Sequence, residues 1–400
     1  MSRHGPRIAG PHGASLQALP EALRRLRRAS LALASRLRSL LVFTLLINCS
    51  APRLTPVTAP VDADAGANPI PLFAYYYIWF DTSSWKPSKM IDFPLLGTYS
   101  SDNAQVMDQH IQWAKSAGIT GFIVSWKHTE RLDRRIAQLT TLADKYDFKL
   151  AVIYQGLDFE RRPQPVETIA RDLDYFIASL GNDRPFDYFE KPLVIWGGSW
   201  AFSPNDIQSV TDPRRSRLLI LSSEKNVAGF ERLADAVDGD AYYWSSVQPS
   251  SNTSYPRKLK SMGEAVHARS GLWVAPAAPG YDSRLLGGET VVARRDGETL
   301  RLEMATALAS SPDLIGLISW NEFSENSHVE PSDSFGKRYI EILSEIRGSE
   351  PPPIMDLDSS ESGQGPADPT LAVVLALGIV AAVVLMGMVA IVVRNRGPRK

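Results

Sequence analysis

Residues 119–154 read ITGFIVSWKHTERLDRRIAQLTTLADKYDFKLAVIY. Two short apolar, β-branched runs, Ile119–Trp126 and Lys149–Tyr154, flank a longer amphipathic stretch, Arg131–Tyr146. The runs predict buried strands, and the stretch between them predicts a helix. A strand, a helix and a second strand in this order make a βαβ unit, the building block of parallel sheets.

The same alternation continues in both directions. Upstream lie the strand candidate Pro71–Trp79 (PLFAYYYIW) and the helix candidate Asn103–Ala117, with Val106, His110, Trp113 and Ala114 on one face. Downstream, strands are expected at Pro192–Trp196, Arg217–Leu221, Gly239–Trp244, Gly271–Ala275 and Leu314–Trp320. Helices are expected at Val166–Leu180, Val227–Val237, Tyr255–Arg269, Glu298–Ala309 and Phe335–Ile346. The stretch after the fourth strand has the weakest helical pattern and carries Pro204 and Pro213. Eight units over about 250 residues predict an α/β fold, a single (β/α)8 TIM barrel. An open doubly wound sheet is the alternative. No Gly-rich phosphate loop follows the first strand, which counts against it.

The chain has 400 residues, 44% hydrophobic and 22% charged, which excludes a wholly disordered or collagen-like protein. Its single cysteine, Cys49, permits no intrachain disulfide. The net charge of −1 conceals a split. Eight arginines and one acid fall in the first 40 residues, and four bases fall in the last seven. Between these ends stand 31 bases against 43 acids. An acidic body argues against nucleic-acid binding, which needs clustered Lys and Arg for phosphate contacts.

Both ends read as membrane signals. Arginines from Arg24 to Arg38 precede the apolar run Leu40–Ile47, too short to span a bilayer but suited to a signal segment over residues 1–50. Small residues follow at Ser50 and Ala51, Cys49 stands in a partial lipobox, and Arg27-Arg28 is a weak twin-arginine pair. Near the other end, Leu371–Val393 is uncharged and would extend ~35 Å as a helix, enough to cross a hydrocarbon core. A transmembrane helix is therefore expected over 370–393, and Arg394 and Arg396 make the tail at 394–400 cytoplasmic. Linkers rich in Pro, Ala and Asp (51–69) and in acids, Pro and Ser (349–369) isolate one domain, 70–348. The expected location is the cell membrane, single-pass, with this domain on the extracytoplasmic side.

In a barrel, function sits at the carboxyl ends of the strands. Trp79, Trp126, Tyr154, Trp196, Tyr243, Trp244, Tyr281 and Trp320 fall at or just beyond those ends. Aromatic faces there suit stacking on sugars, although Trp and Tyr also serve as ordinary core residues. After the last strand comes ISWNEFSENSHVEPS (318–332), with Glu322, Glu325 and Glu330 beside Asn321 and His328. Glu322 and Glu325 are three apart, a spacing that aims both into one cavity or places both on a solvated helix face. Two carboxyls in a dry pocket repel, so one holds its proton and serves as acid while the other serves as base. Glycoside hydrolysis needs such a pair. The six histidines form no HExxH motif, no CxxC pair exists, and no G-x-S-x-G elbow is present, so neither a metal nor a cofactor is expected. Asn252-Thr253-Ser254 fits the glycosylation pattern.

SWNEFSENSHVEPS resembles the WNE-x-x-E-…-EP motif of glycoside hydrolase family 99 and its bacterial relatives. APGYDSR (278–284) is similar to that family's P-G-Y-D-x-R segment. Arg294–Gly297, AYYYIWFD (74–81) and Ser125-Trp126 add to the likeness, which covers about 70–345. The resemblance implies a (β/α)8 barrel and an endo-acting, retaining enzyme on an α-linked oligosaccharide or polysaccharide. Glu322 would deprotonate the sugar 2-hydroxyl to form a 1,2-anhydro intermediate, and Glu325 would be the acid and base at the glycosidic oxygen. Substrate contacts would come from Tyr77, Trp79, Trp126, Tyr154, Tyr281, Asp282, Arg284, Trp320, Asn321, His328 and Glu330. A cleft lined by Trp126, Tyr281 and Trp320 is the geometric expectation. Phe323 and Ser324, then Asn326-Ser327-His328, differ from the mannosidase pattern, so the sugar stays open between mannan-like and glucan-like. A non-hydrolytic carbohydrate-binding or polysaccharide-assembly protein on the same barrel is the alternative.

Overall fold

The computed structural model describes residues 70–349. The expected signal segment, the first linker, nearly all of the second linker and the membrane span fall outside these residues. Eight parallel strands form the sheet: β1 (Leu72–Tyr77), β2 (Gly121–Trp126), β3 (Lys149–Gln155), β4 (Leu193–Gly197), β5 (Leu219–Leu221), β6 (Gly239–Ala241), β7 (Leu272–Ala277) and β10 (Leu314–Leu317). Between the last two, β8 (Tyr281–Asp282) and β9 (Val291–Val292) make a small antiparallel ribbon. The sheet order is β5-β4-β3-β2-β1-β10-β7-β6. Its two ends meet at one parallel bridge, Ser222 with Asp240, where Ala241 N donates to the Ser222 carbonyl at 2.9 Å. The ring is thus closed by a single bridge where the other strands share ladders.

A helix follows each of these strands. They are α1 (Ala104–Ser116), α2 (Glu130–Lys145), α3 (Val166–Ser179), α4 (Pro204–Thr211), α5 (Val227–Leu233), α6 (Tyr255–His267), α7 (Glu298–Leu308) and α8 (Arg338–Arg347). Their starts are set locally. Asn103 caps α1 through Gln105 N and Val106 N, and Thr129 caps α2 through Leu132 N. The weakly patterned stretch after β4 is a helix because Ser203 and Asp206 form a capping box and Pro204 occupies the first helical position. There the proline starts a helix, having no N–H to leave unpaired.

Strand parity builds two apolar layers. Along β1, Phe73, Tyr75 and Tyr77 join the barrel interior with Ile123, Ile153, Ile195 and Val274. Leu72, Ala74 and Tyr76 join the layer between sheet and helices. Burial on both faces is what an all-parallel closed sheet requires. Three expected strands end early, Pro71–Trp79 at Tyr77, Gly239–Trp244 at Ala241 and Leu314–Trp320 at Leu317. The chain leaves the ladder there to form loops at the carboxyl end of the barrel.

Candidate active site

A cleft opens at that end in three lobes with shared walls. The largest, about 460 Å³, is lined by Arg161, Trp200, Lys225, Tyr243, Trp244, Tyr281 and Glu325, among others. A middle lobe of about 250 Å³ contains both Glu322 and Glu325, with Tyr77, Trp79, Gln155 and Ser223. A third, about 220 Å³, lies beyond Glu322 and includes Trp79, Lys86, Lys89 and Ser324. The two glutamates therefore stand in the middle of a cleft that continues past each of them.

Their electrostatics follow from this position. Burial, then the neighbouring charge of Glu325, pushes the Glu322 carboxyl up to about 8. Ser324 lowers it in part, by hydrogen bonds from its hydroxyl and, at 3.2 Å, from its N–H. Burial also raises Glu325, but the Arg161 cation pulls it down. The pair thus holds a proton that two solvated carboxylates would have lost. Tyr77 and Tyr243 share a 2.6 Å hydroxyl hydrogen bond on the barrel side. Burial raises both phenols far above their usual range, with the glutamate charges adding to it, so both remain neutral donors.

The loop that carries the pair is pinned from four sides. Ser319 Oγ accepts from Glu322 N at 2.8 Å, and Asp282 N in β8 donates to the Glu325 carbonyl at 2.8 Å. Arg294 is buried between the rings of Phe335 and Tyr339, 4.4 and 4.5 Å from their centres. Its Nη2 donates to the carbonyls of Asn326 at 2.9 Å and His328 at 2.8 Å. His328 stacks on Phe323 at 3.9 Å, with its Nε2 3.0 Å from Asp92 Oδ2. Burial, then the Arg294 cation, lowers His328 to about 4, so the ring is neutral. Burial opposes ionisation of Asp92, yet hydrogen bonds from His328, Ser332 and the Ser334 N–H hold it well below the usual carboxylate range. A neutral His328 thus donates to an ionised Asp92.

These positions revise the substrate-binding set read from sequence. Tyr77, Trp79 and Tyr281 line the cleft. Trp126, Tyr154 and Trp320 do not; all three are packed in the layer under the helices. The reason is register. Trp126 pairs with Tyr154 and Tyr154 with Trp196 across β2, β3 and β4, so the three share the outer face. Trp126 Nε1 donates to Asp133 on α2 at 3.0 Å, and Tyr154 donates to Asp172 on α3 at 2.9 Å. Trp320 packs on His110 and Phe122. Asn321 is fully buried and latches the last loop to β1, accepting from Tyr77 N at 2.8 Å and donating to its carbonyl at 2.9 Å. Glu330 ties the loop to α1, accepting from Tyr99 at 2.9 Å and lying 3.0 Å from His110 Nε2. His328 belongs to the pinning cluster. Asp282 and Arg284 pair with each other at 2.6 Å outside the lining of the cleft, and the Asp282 N–H braces the Glu325 carbonyl. Sequence reasoning assigned no role to Arg161, Gln155, Trp200 or Lys225, which sit in loops or at strand ends without regular patterning. Tyr243 and Trp244 were legible only as aromatics at a strand end. Among the described residues, no group of three His, Cys, Asp or Glu is placed to hold a metal ion.

Residues 88–342 match the family model of glycosyl hydrolase family 99. The chain belongs to this family. A glycoprotein endo-alpha-1,2-mannosidase of Rattus norvegicus is 24% identical over 261 residues, 60% of this chain and 56% of the rat protein. A glycoprotein endo-alpha-1,2-mannosidase-like protein of Homo sapiens is 22% identical over 275 residues, 63% of this chain and 60% of the human one. This family 99 chain thus spans little more than half the length of those relatives. The structure of the family 99 endo-alpha-mannosidase of Bacteroides thetaiotaomicron superposes with a TM-score of 0.60 at 20% identity, covering 69% of this chain and 97% of the other. At that identity the likeness establishes the barrel fold.

Proposed function

We propose that this family 99 domain is an endo-acting, retaining α-glycosidase with Glu322 and Glu325 as its catalytic pair. The observation that carries this reading is that both carboxyls face one lobe at the carboxyl ends of the strands. A cleft that runs on past Glu322 at one end and past Glu325 at the other supports internal rather than terminal cleavage.

In the proposed sequence, Glu322 takes the proton of the sugar 2-hydroxyl while O2 bonds to the anomeric carbon. The glycosidic bond breaks, and Glu325 gives its proton to the departing oxygen. Glu325 then removes a proton from water as the water oxygen bonds to the anomeric carbon. The 1,2-anhydro ring opens, and O2 recovers its proton from Glu322. Two inversions leave the configuration retained. For this step the proton that the pair holds must sit on Glu325 once the 2-hydroxyl is bound. A hydroxyl donating to Glu322 favours its charged form, and exclusion of water by substrate raises Glu325 further. Arg161 opposes that rise, which keeps Glu325 acidic enough to give up its proton. Relatives named for endo-mannosidase activity support an α-mannan-like substrate.

The test is a pair of substitutions. Glu322→Gln should slow every substrate, because activation of the 2-hydroxyl is always needed. Glu325→Gln should slow natural glycans by about 10²–10⁴-fold but spare glycosyl fluorides, whose leaving group needs no proton. Equal losses on both substrate types would overturn the assignment. We further propose that residues 1–50 direct export and 370–393 anchor the domain outside the cell membrane, in line with their basic and apolar patterning. Protease added to intact cells should then digest residues 70–348, and full protection of them would refute this topology.

A further inference from the structure

The cleft carries charge that the glutamate pair does not use. Arg161 and Lys225 line the large lobe, and Lys86 and Lys89 line the small lobe beyond Glu322. None of these four cations has an ion-pair partner among the described residues. Neighbouring carboxylates are already occupied: Asp158 accepts from Arg162 at 2.9 Å, and Asp282 pairs with Arg284 at 2.6 Å. By comparison, Arg135 is shared by Asp81 and Asp102, and Arg214 pairs with Asp174. The gathering also runs against composition, because residues 70–349 hold 36 acids and 30 bases. In so acidic a body, uncompensated cations gathered at both ends of one cleft form a local field that draws anions in.

Tuning of Glu325 accounts for Arg161 alone. It leaves Lys225, Lys86 and Lys89 without a purpose. Lys225 Nζ stands 4.1 Å over the ring of Trp200, which holds the ammonium against the aromatic wall of the lobe. Trp200, Trp244 and Tyr281 offer faces to a sugar, while Arg161 and Lys225 beside them offer donors to a charged substituent on it.

We infer that the substrate is an anionic α-glycan, one whose sugars carry carboxylate or phosphate groups on both sides of the cleaved bond. Acidic groups on one side meet Arg161 and Lys225, and those on the other meet Lys86 and Lys89. This inference rests on the glycosidase reading above and adds the substrate class to it.

The test compares three probes on the full-length chain in detergent: a neutral α-mannan oligosaccharide, the same chain oxidised at C6 to carboxylates, and the same chain phosphorylated at C6. At low salt an acidic probe should exceed the neutral one in kcat/KM by about tenfold, and the preference should collapse toward unity at about 0.5 M salt as screening shortens the reach of the cations. Comparison of the two acidic probes distinguishes carboxylate from phosphate. Lys225→Gln and the double variant Lys86→Gln/Lys89→Gln should each reduce the acidic-to-neutral ratio, with unchanged circular dichroism confirming the fold. A neutral probe cleaved as well as both acidic ones, without salt dependence, would overturn the anionic substrate and leave the glycosidase reading standing. Salt-dependent binding of an acidic probe without cleavage of any probe would do the reverse. Failure of both acidic probes to bind would end the inference outright.

Discussion

The cleft has two walls built on different principles. The wall after β10 carries Glu322 and Glu325 and is fixed almost entirely by buried contacts: Arg294 on two carbonyls, His328 on Asp92, Asn321 on β1 and Glu330 on Tyr99. The opposite wall, after β3, β4 and β5, presents Arg161, Trp200 and Lys225, all exposed. Gly198, with φ +86°, turns the chain sharply at the end of β4 and delivers Trp200 to the cleft. The first wall spends its polar groups on holding one geometry, which catalysis requires. The second leaves its polar and aromatic groups to solvent and to whatever enters. Chemistry and selection are thereby separated, and substitutions on the two walls should fail differently.

The largest effect is expected at Arg294. Arg294→Met keeps the stacking length between Phe335 and Tyr339 but leaves the Asn326 and His328 carbonyls unpaired. Hydrogen bonds from a charged donor contribute about 1.5–3 kcal/mol each, so calorimetry should show a loss of ~3 kcal/mol or more. Turnover should fall even where the protein is folded, because the loop bearing both glutamates loses its tie. A variant with parental kcat and a parental melting temperature would show that this wall is not held by Arg294.

A smaller effect on the same wall depends on pH. Glu322 has a usual value of 4.5 and is pushed up to about 8 in the folded domain. Between those limits the folded state keeps a proton that the unfolded chain releases. Its contribution to stability is full below about 4.5 and is lost as pH rises through about 8. Glu322→Gln does not titrate, so its stability relative to the parent should improve as pH rises through this window and then level off. A tenfold difference in proton affinity between the folded and unfolded states corresponds to about 1.4 kcal/mol, which makes a gain of ~2 kcal/mol by about pH 8.5 a modest expectation. Thermal melts in a pH series measure it, and a difference that stays flat with pH would place Glu322 in contact with solvent.

The contrast between the walls also shows what the sequence could disclose. Strand and helix alternation made the barrel legible, because burial on both sheet faces writes apolar runs such as FIVSW and LAVIY directly into the chain. The glutamate pair was legible because one loop contains it. Which aromatics face the cleft was hidden, since Trp126, Tyr154 and Trp320 look identical to Tyr77 until the parity of each strand is known. The roles of His328 and Asp92 were hidden for another reason: they meet across 236 residues of chain, and no local pattern encodes that contact. Arg161 and Lys225 lie in loops, where neither period nor propensity marks a position.

Parity supplies the finest test of the two-wall contrast, because it separates tryptophans that sequence treats alike. Trp200 is 40% exposed on the selecting wall, whereas Trp126 is wholly buried behind β2. Trp200→Ala should raise KM by about tenfold, equivalent to ~1.4 kcal/mol of lost stacking, with kcat little changed, since the ring acts on bound and activated substrate alike. Trp126→Phe should leave both constants within about twofold. Its cost should fall on stability, where loss of the hydrogen bond to Asp133 removes ~1 kcal/mol. If Trp126→Phe instead raised KM, its ring would have to reach substrate from the helix side of the sheet. The register that places Trp126, Tyr154 and Trp196 on one outer face would then be wrong by one residue, and with it the division between the two walls.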